Sequence, residues 1–117
     1  MRFDFLFIGG GLQNVLGALA VLDRRPELSV CVIESELQIG GNHTWCFHSS
    51  DVPASLVAVV EPLVSVRWSK WRVEFPDLVR TFDKPYAMVT SGSASAAMHR
   101  AFDRHPNRVL RLGTKVS

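Results

Sequence analysis

Cysteine is scarce: Cys31 and Cys46 are the only two in 117 residues. That excludes a disulfide framework and fits a reducing compartment, the cytoplasm. Long apolar runs are also missing, and none approaches the ~20 residues that a spanning helix needs. The apolar stretch from Phe3 is interrupted by Asp4 and stops at Gly9-Gly10-Gly11, with no small-residue cleavage site after it, so no secretory leader is expected. Charge of one sign is not in excess: 13 Lys and Arg stand against 11 Asp and Glu, a net +2. Arg24, Arg25, Arg100, Arg104 and Arg108 are scattered, so no basic footprint for nucleic acid is expected. Repeats and low-complexity segments are absent. What remains is the composition of an ordinary globular domain, with 47% hydrophobic and 21% charged residues in a length that suits one small domain.

The first third of the chain has a clear order. Residues 3–8 are apolar and aromatic, end at three glycines, and read as a strand buried on both faces. Leu12, Val15, Leu16, Leu19 and Ala20 then recur at helical spacing, with Pro26 marking the turn beyond. Val30-Cys31-Val32-Ile33 is a second buried strand, closed by Glu34. Strand, helix and strand make one βαβ unit with parallel strands.

The remainder is less regular. Residues 35–51 read as a loop rich in Gly, Asn, His and Ser. Asp51 is placed to cap a short helix over Ala54 to Val60, with Pro53 in its first turn. Val64, Val66 and Trp68, then Trp71, Val73 and Phe75, alternate as antiparallel strands with short turns at Ser69-Lys70 and Pro76-Asp77. Ala94, Ala97, Met98, Ala101 and Phe102 share a helix face, and Val109, Leu110 and Leu112 suggest a last strand. Only about two helices are then available to cover a parallel sheet, so the fold is expected to be incomplete and the chain a piece of a longer protein.

The chemistry sits in the glycine turn. In Gly9-x-Gly11-x-x-Asn14, Gly9 permits the sharp turn off the strand, and Gly11 lets the backbone approach a pyrophosphate. The helix that starts at Leu12 offers unpaired N–H groups and partial positive charge to that pyrophosphate. The third position normally carries a small residue for close helix–strand packing; Asn14 departs from this, and Gly17 and Ala18 supply small side chains one turn later. Glu34 stands about 20 residues on, the offset of an acid that binds both ribose hydroxyls. Its charge would repel a 2′-phosphate, which disfavours NADP at this site and leaves FAD and NAD. A second glycine pair, Gly40-Gly41, precedes Asn42, His43, Thr44 and Trp45 and suits a backbone passing close to the cofactor. His43, Cys46 and His48 have metal-like spacing but no fourth ligand, so no metal is expected. By these residues alone, an FAD enzyme such as an aromatic hydroxylase or amine oxidase and a non-catalytic nucleotide-binding module both remain open.

Gly9-Gly10-Gly11-Leu12-Gln13-Asn14 and Gly40-Gly41-Asn42-His43-Thr44-Trp45-Cys46-Phe47-His48 resemble the N-terminal region of the bacterial lycopene β-cyclases. So do the segments Trp68 to Phe75 and Tyr86 to Ser91. Asn14, irregular by the general rule, resembles the family's own version of the motif; Cys46 stands where Ser is expected. The resemblance implies an α/β, Rossmann-like FAD-binding fold, made of a βαβ unit plus small antiparallel strands. It implies FAD as cofactor, used in reduced form with NADPH as electron source, and lycopene as substrate. It implies closure of β-ionone rings with no net redox change, and access from the cytoplasm to a substrate in the inner membrane. The expected cofactor contacts are Gly9, Gly10, Gly11, Leu12, Asn14, Glu34, Gly40, Gly41, Asn42 and His43. No residue of this chain is expected to be a catalytic acid, since the family's acids fall beyond Ser117.

Overall fold

The computed structural model describes residues 1–117. Three strands form a parallel sheet: β1 (Phe5–Ile8), β2 (Val30–Ile33) and β8 (Arg108–Arg111), in the order β1-β2-β8. Helix α1 (Leu12–Arg24) crosses between β1 and β2, and α3 (Ser91–Phe102) leads into β8. Both helices pack on one face of the sheet, where Phe7, Val30, Val32 and Leu110 meet Val15, Ala18, Leu22, Met98 and Phe102. The expected βαβ unit and the final strand are therefore present, in an α/β fold of the Rossmann type.

The opposite sheet face carries Leu6, Ile8, Cys31 and Ile33, the alternate positions in register. No helix lies on it. β1 was expected to be buried on both faces; instead Phe5, Leu6 and Ile8 are 42%, 54% and 59% exposed. Leu6 and Ile8 lie on the uncovered face, β1 is an edge within these 117 residues, and its one covered residue is Phe7, which faces α1. Cys31, on the central strand, is buried, and burial pushes its thiol up.

A second layer departs from the sequence reading in three ways. Thr44–His48, expected as loop, is strand β3. It pairs antiparallel with β7 (Tyr86–Thr90), a strand the periodicity did not single out. Trp45 and Phe47 point into the core, and their alternation is masked by the Gly, Asn and Ser residues that flank them. The strand β4 (Val64–Trp68) pairs with β7 on its other side, giving a sheet ordered β3-β7-β4. No hairpin therefore forms across Ser69-Lys70. The hairpin that does form joins β5 (Trp71–Phe75) to β6 (Leu78–Phe82) around Pro76-Asp77. Trp71 stacks on Phe82 at 4.2 Å between ring centroids, while Trp68 is largely exposed.

The predicted helix after Asp51 is also broken up. Short 3-10 turns flank a single α-helical turn, α2 (Val57–Val60), and Pro53 rather than Asp51 precedes the first of them. The Asp51 carboxylate instead accepts from the His48 N–H at 3.2 Å. Helix α3 begins with a reciprocal cap: the Ser93 N–H donates to the Thr90 hydroxyl at 3.0 Å, and the Thr90 N–H donates to the Ser93 hydroxyl at 2.9 Å.

Candidate functional site

The glycine turn lies where β1 hands over to α1, at the carboxyl end of the parallel strands. Ligands of open α/β sheets bind in that crevice. Gly9 has φ +99°, a conformation that a side chain would strain. Gly11 caps α1 in an extended conformation, and a Cβ built on it would meet nothing within 4 Å. The space in front of the helix N-terminus is therefore open. The first intrahelical bond runs from the Val15 N–H to the Gly11 carbonyl, so the amides of Leu12, Gln13 and Asn14 are left facing that space or solvent.

Asn14 has a physical role that the glycine rule does not foresee. Its side-chain amide lies 2.9 Å from the Ile8 carbonyl and 2.9 Å from the Gly9 carbonyl, and donates to both. It ties the first turn of α1 to the end of β1. The close packing expected at this position has moved to Gly17, where a Cβ would lie 3.1 Å from the Phe7 ring.

Glu34 closes the other side of the turn. Its carboxylate accepts from the Gly10 N–H at 2.6 Å and from the Glu36 N–H at 2.8 Å, and the Ser35 hydroxyl adds a third bond at 3.0 Å. The bond from the Glu36 N–H, followed by that from Gly10, holds the carboxyl below the usual carboxylate range. Gly10 is glycine for a packing reason, since a Cβ there would lie 2.7 Å from the buried Ile39 and 3.0 Å from the Glu34 carboxylate. Ile8, Gly9, Ile33, Glu34, Ser35 and Lys115 line a groove of about 380 Å³ over the two strand ends.

The second glycine pair joins this turn directly. The Gly40 N–H donates to the Gly10 carbonyl at 2.8 Å. Gly40 has φ +85° and is packed against Ser91, so it is glycine on two counts. The backbone of His43 is held by Ser91: the His43 N–H donates to the Ser91 hydroxyl at 2.5 Å, and the Ser91 N–H donates to the His43 carbonyl at 2.9 Å. Ser91 was not singled out as a site residue by sequence. The only signal was its position in the Thr90-Ser91-Gly92-Ser93 helix start, nearly 50 residues from the loop it contacts.

Gly9, Gly10, Gly11, Asn14, Glu34 and Gly40 thus form one connected layer. Leu12, first residue of α1, turns partly toward an apolar cavity of about 330 Å³ that it shares with Leu16, Trp45, Phe47, Leu63 and Val89. Gly41, Asn42 and His43 are exposed on the outer side of the loop. The His43 ring rests on Trp45 with centroids 5.5 Å apart. His48 is packed into an aromatic row with Trp71 and Tyr86. The structure contains no cluster of three or more His, Cys, Asp or Glu side chains arranged to hold a metal.

The parallel sheet, the glycine turn and the acid at the end of the second strand define a Rossmann-like unit with a dinucleotide-binding fingerprint. Similar folds occur in p-nitrophenol 4-monooxygenase PnpA from Pseudomonas putida DLL-E4 (TM-score 0.70, 14% identity, covering 93% of this chain and 31% of that one). They also occur in THI4 from Thermovibrio ammonificans (TM-score 0.54, 14% identity, covering 96% and 38%). At such identity the likeness concerns the fold alone. The family model "Lycopene cyclase protein" matches residues 4–117, and the chain belongs to the lycopene cyclase family.

Among its relatives is the lycopene beta-cyclase of Pseudescherichia vulneris, 41% identical over 98 residues, which are 84% of this chain and 25% of the relative. That of Pantoea ananas is 34% identical over 104 residues, or 89% and 27%. The chain spans about a quarter of the length of these curated relatives.

Proposed function

We propose that this chain is the N-terminal part of the FAD-binding domain of a lycopene β-cyclase. The observation that carries the reading is the meeting of two features at one strand end: the open helix N-terminus behind Gly11 and the ionised, backbone-held Glu34. A pyrophosphate needs the first and a ribose with a free 2′-hydroxyl needs the second. The residues fit the group, because the approach at Gly11 is clear where a side chain would obstruct it.

In this reading Gly9, Gly10, Gly11, Leu12 and Asn14 form the pyrophosphate turn and Glu34 takes the ribose. Gly40, Gly41, Asn42 and His43 lie along the cofactor's further course. Those residues would hold FAD, which, reduced with NADPH as electron source, would supply the electron-rich flavin that helps protonation of the lycopene end group. The carbocation so formed closes into a β-ionone ring, with no net redox change, so the whole protein is an isomerase in outcome. That reaction needs an acid, a means of stabilising a cation and a dry pocket. The protein supplies binding and electrostatics around the cofactor. Glu34 is held by backbone amides, and no residue of this chain matches a catalytic acid of the family by motif, so the reading assigns the acid to another part of the whole protein. The open face behind β1 is covered there as well. No helix of the structure is long and apolar enough to cross a membrane. In this reading lycopene, a membrane-resident hydrocarbon, is reached by peripheral contact from the cytoplasm, as the family resemblance implies.

The test uses the whole cyclase. It should retain FAD through purification and convert lycopene to β-carotene only with the flavin reduced, while the 117-residue chain alone should convert none. β-Carotene formed by the isolated chain, or by a whole protein free of flavin, refutes the reading.

A further inference from the structure

We infer that Ser91 is a positioning residue for the cofactor loop, acting from the start of α3 on the backbone of residues 40–43. The inference rests on the reading of the glycine turn as a flavin site.

Ser91 is the one polar residue among the buried residues of the structure, at 6% exposure. Burying a hydroxyl costs free energy unless its hydrogen bonds are made. Every hydrogen bond of this hydroxyl goes to the second glycine loop. It accepts from the His43 N–H at 2.5 Å, and the Gly40 and His43 carbonyls lie within its donating distance at 2.9 Å and 3.0 Å. The Ser91 backbone N–H also donates to the His43 carbonyl at 2.9 Å. None of these bonds serves to cap α3, a task carried by Thr90 and Ser93. Packing points the same way. A Cβ on Gly40 would sit 3.3 Å from the Ser91 Cα, so loop and helix start are in direct contact.

The loop in turn touches the pyrophosphate turn through the bond from the Gly40 N–H to the Gly10 carbonyl. A continuous chain of contacts therefore runs from Ser91 through Gly40 to Gly10, and from Gly10 to Glu34. Ser91 touches neither ribose nor pyrophosphate in this arrangement. It sets the shape of the backbone that does, so the loop is formed before the cofactor arrives and less ordering cost falls on binding.

The test compares Ser91→Ala and Ser91→Thr with the parent in the whole cyclase. Amide hydrogen exchange is measured without flavin, and the FAD dissociation constant by quenching of flavin fluorescence. Ser91→Ala should speed exchange of the His43 amide at least about ten-fold, and weaken FAD by about five- to ten-fold, as expected for loss of one hydrogen bond. Amides in the middle of α3 should keep their protection, because the Thr90–Ser93 cap is untouched. Ser91→Thr, which keeps the hydroxyl, should restore both values.

Unchanged exchange at His43 overturns the inference, and so does faster exchange with unchanged FAD affinity. Loss of protection throughout α3 in Ser91→Ala also overturns it, since the residue would then be serving the helix. Failure of the flavin reading itself would show separately, as full FAD retention in a Gly11→Val cyclase.

Discussion

Gly11→Val should leave the fold nearly as stable as the parent and remove the cofactor. Gly11 is in extended backbone, φ −72° and ψ 168°, which valine adopts without strain. A Cβ there meets nothing within 4 Å. The folding cost reduces to a poorer helix cap, about 1 kcal/mol. The binding cost is larger. A branched side chain in front of the helix N-terminus displaces the pyrophosphate from the free amides. One charge-assisted hydrogen bond contributes about 1.5–3 kcal/mol, and the helix terminus a further ~0.3–1 kcal/mol. Together that is about 3 kcal/mol, or roughly two orders of magnitude in dissociation constant.

Gly10→Ala makes the contrast, because its methyl group would lie 2.7 Å from Ile39 and 3.0 Å from the Glu34 carboxylate. Ile39 is fully buried and has little room to move, so overpacking should destabilise the fold by about 1–3 kcal/mol. Urea denaturation of the flavin-free cyclase reads the first quantity, and a flavin fluorescence titration reads the second. A Gly11→Val protein that binds FAD within two-fold of the parent would refute the site. A Gly10→Ala protein of parental stability would refute the packing argument.

Three further expectations follow from the same turn. Glu34→Ala should weaken FAD by about 1.5–3 kcal/mol, read by the same titration, as a charged hydrogen-bond acceptor is lost. Because the Glu34 carboxyl is held below its ordinary value, its stabilising effect is present above the unfolded-state value of about 4.3 and is lost as pH falls through the lower folded-state value. The stability difference between the parent and Glu34→Gln should thus be constant near neutrality and shrink as pH falls through the folded-state value; a difference that does not change with pH contradicts the assignment. Asn14→Ala removes two bonds to the Ile8 and Gly9 carbonyls and should cost about 1–3 kcal/mol of unfolding free energy in urea denaturation, at ~0.5–1.5 kcal/mol each. Parental stability in that variant would mean that α1 is anchored by packing at Gly17 alone.

Local pattern and tertiary arrangement divide cleanly in this molecule. The strand before Gly9, the helix from Leu12 and the strand ending at Glu34 were legible from the residues, because each follows from a short-range period and a turn chemistry that needs no distant partner. The nearness of Glu34 to the glycine turn follows from the βαβ crossover, which brings those two ends together, but its bond from the Gly10 N–H was not legible in the residues. The second glycine pair was recognisable by its string of residues, although nothing in the string said what would hold it.

What only the tertiary structure decided involves partners far apart in sequence. Strand β3 is five residues long and takes its place from β7, about 40 residues later. β4 had a plausible neighbour in β5 but pairs with β7, since alternation marks a strand without naming its partner. β1 has the composition of a central strand, yet within these 117 residues it is an edge, because burial depends on which layers arrive and not on the strand's own residues. Asn14 looked irregular because the rule concerns small side chains, whereas the fold uses its amide to bind two carbonyls and shifts the close contact to Gly17. Ser91 was invisible as a site residue because a serine at a helix start carries no mark of the loop it will meet. The sequence by itself determined the local geometry of the glycine turn and the acid beside it. Tertiary structure alone decided what braces them, because hydrogen bonds across long separations depend on where the chain returns and not on the residues beside them.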